Sequence, residues 1–262
     1  MQKLKLTIAY DGTRYAGWQV QQARRRKAGG GRQTTEGRKQ QPTIQGTLER
    51  VLRRIVQEPV RVVGSGRTDA GVHALAQVAH VTTHARIPCG RLLRSLNQLL
   101  PPDLAVTHLE EADTTFHARF SATGKRYRYR LFTGAVVPPF IRPYVHQVRV
   151  ALDLALMRRE AARLLGRHDF RAFARAGGRP TATTRTLSAA DLKRRGQEVW
   201  VELSGNGFLH TMVRSIVGTL IDVGRGHRPP GTIRRLLTTR QRRLAGPTAP
   251  ARGLALVEVR YD

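Results

Sequence analysis

Residues 64–74 read GSGRTDAGVHA, and this stretch places one carboxylate, Asp69, two positions after Arg67 among three glycines. Glycines allow another backbone or a ligand to approach closely. The runs at 61–63 and 75–81 are typical of strands, so the pattern predicts a fixed loop between two strands. Asp69 either caps a turn, with Arg67 neutralising its charge, or faces a ligand.

The charge of the chain favours a nucleic-acid partner. The 262 residues carry 46 Lys plus Arg against 18 Asp plus Glu, which gives a formal net charge of +28. A folded protein this basic is typical of those that bind polyanions. We expect no membrane partner, because no run approaches the roughly 18 apolar residues of a spanning helix. Residues 1–5, MQKLK, lead into a predicted strand and lack the apolar block of a signal peptide.

The sequence predicts neither a metal site nor a cofactor. The single cysteine, Cys89, excludes an internal disulfide and fits a cytoplasmic protein. His80 and His84 have the spacing of helical metal ligands, but residues 77–83 alternate like a strand. The glycine-containing loop lacks the Gly-Lys-Ser/Thr ending of a nucleotide-binding P-loop and does not precede a helix.

Hydrophobic periodicity predicts an α+β fold with two halves, 1–109 and 110–262. In the first half the pattern predicts a strand ending at Asp11, helices over 44–55 and 91–100, and a strand over 105–109. In the second half it predicts strands over 125–132, 189–194, 199–203 and 254–261, and helices over 153–165, 209–223 and 232–237. The helix over 209–223 is apolar on most faces, which predicts that it is buried.

Residues 23–41, ARRRKAGGGRQTTEGRKQQ, interrupt the first half. They combine glycines and basic residues with no aliphatic side chain larger than alanine. Such a segment has nothing to bury, so we expect a flexible basic insertion.

The motifs of the chain resemble, in the same order, those of the tRNA pseudouridine synthase A family. The segment RTDAGVHA at 67–74 resembles the signature of that family. Further matches are YDG at 10–12, GWQ at 17–19, TIQGTL at 43–48, FHARFSA at 116–122, LG at 165–166, HDF at 168–170, MVR at 212–214 and IVG at 216–218. Their order over about two hundred residues is more specific than any single motif. The segment 23–41 departs from the family, which has only a few residues there.

The resemblance implies a fold and an activity. The fold is two ferredoxin-like, or RRM-like, halves with mainly antiparallel sheets, joined around a central basic cleft, and the assembly is a homodimer. The activity is the cofactor-independent isomerisation of uridine to pseudouridine at tRNA positions 38 to 40, in the anticodon stem-loop.

The resemblance also implies roles for four residues. Asp69 is the catalytic carboxylate, and Arg214, in the Met-Val-Arg motif, pairs with it. Arg67 helps to displace the target nucleotide, and Tyr127 stacks on the target base and is a candidate for moving the C5 proton. The residues themselves leave alternatives open: a surface arginine for Arg67, and a core aromatic for Tyr127. An arginine inside an apolar helix, such as Arg214, either reaches the end of a packed layer or meets a carboxylate.

The arginines of a second segment are candidates for substrate binding. Arg171, Arg175, Arg179 and Arg185 are predicted to follow an RNA phosphate backbone, with solvated surface charge as the alternative. A non-catalytic basic RNA-binding or ribosome-associated protein would also explain the net charge, but it gives no reason for the Arg-Thr-Asp loop. A metal-dependent phosphodiesterase would need paired carboxylates or clustered histidines, which the sequence does not display.

Overall fold

The computed structural model describes residues 1–20, 41–175 and 182–262. Its strands are β1 Gln2–Tyr10, β2 Val63–Gly64, β3 His73–Thr83, β4 Leu104–Glu111, β5 Ala122–Phe132, β6 His146–Gln147, β7 Gly166–Asp169, β8 Thr184–Arg195, β9 Glu198–Gly205 and β10 Leu254–Tyr261. Its α-helices are α1 Ile44–Val56, α2 Cys89–Leu99, α3 Leu154–Ala162, α4 Met212–Gly224 and α5 Thr232–Thr239. This mixture of elements confirms the predicted α+β class.

The strands form one sheet in the order β4-β1-β3-β10-β5-β9-β8-β7, with β2 paired to β3 and β6 paired to β5. The pairs β3–β10 and β5–β6 are parallel, and the other pairs are antiparallel. β10 lies between β3 and β5 and therefore joins the strands of residues 1–109 to those of the second half. The boundary predicted at residues 109 and 110 falls inside β4, which continues to Glu111.

The register of β10 sets the distance between the loop 64–74 and Tyr127. Leu256 of β10 lies opposite Ala74 of β3 on one side and opposite Tyr127 of β5 on the other. Because neighbouring strands lie about 4.8 Å apart, the end of the loop 64–74 is held roughly 10 Å from Tyr127.

The two faces of β5 have different roles. Tyr127, Tyr129 and Leu131 are buried, as strand alternation predicts. The arginines between them make cross-strand ion pairs: Arg126 with Glu258, Arg128 with Glu202, and Arg130 with Glu198. β5 begins at Ala122, three residues before the predicted strand 125–132.

Two of the described α-helices, α1 and α3, begin where the sequence supplies a side-chain cap. The Thr43 hydroxyl accepts a hydrogen bond from the Gly46 N–H at 3.1 Å and starts α1. The Asp153 carboxylate accepts from the Leu156 N–H at 2.8 Å and starts α3. α3 ends at Ala162 rather than at 165, because the N–H groups of residues 163–165 bond to carbonyls three residues back.

α4 is the buried helix that the sequence predicts, but its start was predicted wrongly. Every residue of α4 except Arg214 is buried. The helix begins at Met212 rather than at Leu209, because Thr211 has a left-handed backbone with φ 63°. Leu209 is also buried, so its apolar side chain extends the hydrophobic pattern beyond the helix.

Two of the predicted features lie mostly or wholly outside the described residues. The basic insertion 23–41 lies, apart from Gln41, outside the described residues, and so does Arg179.

Within the ranges that the structure describes, no helix is both long and apolar enough to cross a membrane.

Candidate active site

The loop 64–74 packs closely against residues 10–18. A Cβ atom at Gly17 would lie 2.7 Å from the Thr68 carbonyl oxygen, and Gly17 has φ +97°. A Cβ atom at Gly12 would lie 2.0 Å from the Val72 carbonyl oxygen. Side chains at these two positions would therefore push the loop away from the sheet.

Hydrogen bonds fix the loop from three sides. The Thr68 carbonyl accepts from the Trp18 N–H at 3.1 Å, and the Thr68 hydroxyl lies 2.9 Å from the Tyr10 hydroxyl. The buried Gln77 side chain bonds to the Ser65 hydroxyl at 2.7 Å and to the Gly66 carbonyl at 3.1 Å. Thr68, directly before Asp69, is thereby held on both its backbone and its side chain.

Asp69 is held between two cationic or polar partners. Its Oδ2 accepts a hydrogen bond from Arg214 at 2.7 Å. Its Oδ1 lies 3.0 Å from Nε2 of His210. The side chain is 18% exposed, so the carboxylate is neither in bulk water nor in the core.

Arg214 reaches the site from the first turn of α4. Its Nε donates to the Ala249 carbonyl at 2.7 Å, while its other arm donates to Asp69. The Ala249 N–H in turn donates to the Arg214 carbonyl at 3.1 Å. The guanidinium is fixed between Asp69 and the segment at Ala249, which preorganises the charge beside the carboxylate.

Tyr127 forms the aromatic wall of the site. Its ring packs edge-on against Phe208 with centroids 5.0 Å apart, and 8% of the residue is exposed. Burial raises the pKa of the Tyr127 phenol above its ordinary value, and the nearby Tyr10 and Asp69 add to the effect. The phenol is therefore neutral, and within the described residues its oxygen makes no hydrogen bond.

Lys125 lies on the same face of β5 as Tyr127. Its ammonium group donates to the Ser65 carbonyl at 2.6 Å and so connects β5 to the loop. Burial lowers the pKa of Lys125 to about 8, and repulsion from Arg119 and Arg185 contributes.

These residues line one cleft with a volume of about 1520 Å³. Small-molecule sites occupy about 300–1,000 Å³, so the cleft accommodates a larger ligand. Among the described lining residues Asp69 is the only carboxylate, and seven side chains are cationic: Arg61, Arg67, Arg119, Lys125, Arg175, Arg214 and Arg242. A single carboxylate surrounded by cations fits a polyanionic substrate that undergoes chemistry at one point.

The comparisons with known proteins agree with this geometry. A family model described as tRNA pseudouridine synthase matches residues 7–121 and 161–262. The chain belongs to the tRNA pseudouridine synthase family.

Relatives match along the whole chain. A protein named tRNA pseudouridine synthase A from Acetivibrio thermocellus is 41% identical over 261 residues, with 100% of both chains covered. A protein of the same name from Moorella thermoacetica is 43% identical over 258 residues, covering 98% of this chain and 99% of its own. A third, from Geobacillus kaustophilus, is 43% identical over 263 residues, covering 100% of this chain and 95% of its own.

Five of the site residues predicted from the sequence of this pseudouridine synthase line the cleft: Asp69, Arg67, Tyr127, Arg214 and Arg175. Arg67 is exposed and, within the described residues, makes no hydrogen bond or ion pair.

Two other predicted arginines do not line the cleft. Arg171 is exposed and lies 3.8 Å from Asp169. Arg185 donates to the carbonyls of Ala182 and Thr184, and burial lowers its pKa below the ordinary value for arginine. For both, phosphate binding stays a prediction.

Sequence reasoning did not single out His210 or Lys125. Lys125 was detectable, because strand alternation puts it on the face of Tyr127. His210 was not, because the predicted helix started too early and placed it inside the helix. In the structure it belongs to the turn before α4, beside Asp69. Within the described part of the chain, no group of three or more His, Cys, Asp or Glu residues is arranged to hold a metal ion.

Proposed function

We propose that this pseudouridine synthase isomerises uridine in the anticodon stem-loop of tRNA, at positions 38 to 40, with Asp69 as its catalytic carboxylate. The observation that carries the proposal is the Asp69–Arg214 contact of 2.7 Å in a cleft whose other charged lining residues are basic. The non-catalytic RNA-binding alternative is not favoured, because the full-length relatives are named as the enzyme.

The reaction needs no external reagent, because the product has the same atoms as the substrate. The N1–C1′ bond breaks, the base rotates, and a C5–C1′ bond forms. The hydrogen on C5 leaves as a proton, and N1 takes up a proton. The step needs an ionised carboxylate near the sugar, either to attack C1′ or to remove the C2′ proton. Asp69 is suited to both roles.

Arg214 positions Asp69 for the reaction. Its guanidinium group puts a fixed positive charge beside the carboxylate and directs Oδ2, while His210 contacts Oδ1. The two contacts orient the carboxylate before substrate arrives, so little reorganisation is needed during the reaction.

Tyr127 and Arg67 receive the flipped nucleotide. A base that leaves its stack is commonly held against an aromatic face, and the Tyr127 ring lines the cleft. Because its hydroxyl is neutral, Tyr127 moves the C5 proton only by passing its own proton to another acceptor as it takes up the proton from C5. Arg67, exposed two residues before Asp69, is placed to occupy the space that the flipped base leaves in the RNA.

We further propose that the sheet consists of two ferredoxin-like halves, 1–109 and 110–262, joined through the β3–β10 pair. The cleft follows this junction, because Asp69 precedes β3 and Tyr127 lies on β5. A homodimer would let a partner subunit hold the rest of the tRNA, and a tRNA substrate places the enzyme in the cytoplasm.

Tritium release tests the activity directly. Incubation with tRNA tritiated at uridine C5 is expected to release tritium without added metal or cofactor, because C5 exchanges its hydrogen for a bond to C1′. A tRNA with cytidines at positions 38 to 40 is the matched control and should release none. RNA binding or cleavage alone would leave the label in RNA and would contradict the proposal.

The Lys125 pKa predicts a pH dependence of tRNA binding. With a pKa of about 8, the charged fraction of Lys125 falls from about nine tenths at pH 7 to about one tenth at pH 9. Because RNA phosphates bind the charged form, the Kd for tRNA should rise by up to about tenfold over this range. A Lys125→Met variant should lack this rise, since it has no ammonium group to titrate. Identical pH profiles for the variant and the wild type would contradict the prediction.

A further inference from the structure

An exposed aromatic ring lies beside the cleft, on the turn that precedes β5. Phe120 is 76% exposed. Leaving a phenylalanine ring in water forgoes the favourable free energy of its burial. Single exposed apolar side chains are common on protein surfaces, so the case for a function of Phe120 depends on how its turn is held and on its neighbours.

The turn that carries Phe120 is tightly built. The His117 N–H donates to the Ser121 hydroxyl at 3.0 Å, and the Ser121 N–H donates to the His117 carbonyl at 2.9 Å. The Nδ1 atom of His117 accepts from the N–H groups of Arg119 at 3.2 Å and of Phe120 at 3.3 Å. These bonds close the segment 117–121 on itself.

The centre of the turn is anchored in the core. Ala118 is fully buried, its N–H donates to Nδ1 of His80 at 3.1 Å, and its carbonyl accepts from the Tyr261 hydroxyl at 2.7 Å. With Ala118 fixed inward, Arg119 and Phe120 are both exposed. Phe120 is therefore exposed because these hydrogen bonds hold Ala118 inward, and not because the segment 117–121 is loosely held.

The neighbours of Phe120 are those of a nucleobase site. The His117 ring lies with its centroid 4.3 Å from that of Phe120, at an interplanar angle of 32°. The Arg119 guanidinium carbon lies 5.6 Å from the Phe120 ring centre, and Arg119 also lines the cleft. Aromatic and arginine side chains together hold unpaired bases by stacking and bind the adjacent phosphates.

We propose that Phe120, with His117 and Arg119, is a stacking site for an unpaired nucleobase of the RNA, separate from the pocket of the target uridine at Tyr127. The nature of the RNA, an anticodon stem-loop, rests on the proposed function. Because every base has a π-face, the site accepts its base with little sequence preference. It holds an untargeted loop nucleotide at the rim while the target uridine enters the cleft.

The test measures binding separately from turnover. Anticodon stem-loop RNAs carrying 2-aminopurine at one loop position at a time are titrated with the Asp69→Asn protein, which serves as the background. One position is expected to show quenching that disappears in Phe120→Ala. The same substitution should raise the Kd by about 5- to 160-fold, since stacking of one base is worth about 1–3 kcal/mol.

Substitutions at Phe120 and a second phenylalanine give the controls. Phe120→Trp should bind within about twofold of the background protein, whereas Phe120→Leu should weaken binding like Phe120→Ala, because leucine is apolar but has no π-face. Phe140 is 91% exposed and does not line the cleft, so Phe140→Ala should leave the Kd unchanged.

Three outcomes would overturn the inference: an unchanged Kd in Phe120→Ala, full binding by Phe120→Leu, or a change of molar mass in Phe120→Ala by sedimentation equilibrium. The last would mean that Phe120 covers an interface between two copies of the chain. Tritium release by the wild type is scored separately. Its absence together with Phe120-dependent quenching would reject the proposed function and keep the stacking site.

Discussion

Replacement of Asp69 with asparagine is expected to reduce tritium release at least about 10⁴-fold, which corresponds to about 5.5 kcal/mol of transition-state stabilisation. Asparagine keeps the size of the side chain and one oxygen for the bond from Arg214, but it neither attacks C1′ nor accepts the C2′ proton. The Kd for tRNA should stay within about tenfold, because the cationic lining of the cleft is unchanged. Turnover and Kd are both measured on the same protein preparation.

Asp103 provides a closely matched control. Its carboxylate lies 2.6 Å from Arg14 and is 13% exposed, so its distance to an arginine and its own burial are similar to those of Asp69. It does not line the cleft. Asp103→Asn should therefore lose stability through a broken ion pair and retain turnover. Substantial turnover in Asp69→Asn, or an equal loss in both variants, would contradict the catalytic assignment of Asp69.

Local patterns predicted the elements of this fold better than their arrangement. In β1 the alternation of Leu4, Leu6 and Ile8 with polar residues predicts a half-buried strand, and all three side chains are fully buried. The position of β10 between β3 and β5 was not predictable in this way. It depends on pairing between residues more than a hundred positions apart, which periodicity does not encode.

The residues of the site were likewise predictable one by one, but their arrangement was not. Asp69 and Arg214 each stand out locally, one in a loop with glycines and the other as a charge in an apolar helix. Their separation in sequence is 145 residues, so the 2.7 Å contact is a property of the folded sheet and helix together. His210 escaped prediction because its role depends on the left-handed backbone of Thr211, which ends the turn before α4. Threonine is not a residue that signals such a conformation.

Replacement of Arg214 with methionine should lower kcat/KM at least about 100-fold, or about 2.7 kcal/mol. Methionine approximates the length of the side chain but removes the charge beside Asp69 and the donor to the Ala249 carbonyl. Arg225, directly after the last residue of α4, is the control, because its ion pair with Asp222 at 2.8 Å lies away from the cleft. Arg225→Met should keep its turnover. Full activity of Arg214→Met would show that Arg214 does not organise the site.

A double-mutant cycle separates the pairing of Arg214 with Asp69 from other effects of its loss. The free energies of unfolding of Asp69→Asn, Arg214→Met and the double variant are compared by urea denaturation. Because each side chain is 18% exposed, each single variant leaves a partly buried polar partner, and the double variant should cost less than the sum of the two. We expect a coupling energy of about 1 kcal/mol or more, within the range of about 0.5–3 for residues in contact. A coupling of zero would mean that the pair does not stabilise the carboxylate, and any loss of turnover in Arg214→Met would then come from other contacts of Arg214, such as its bond to the Ala249 carbonyl.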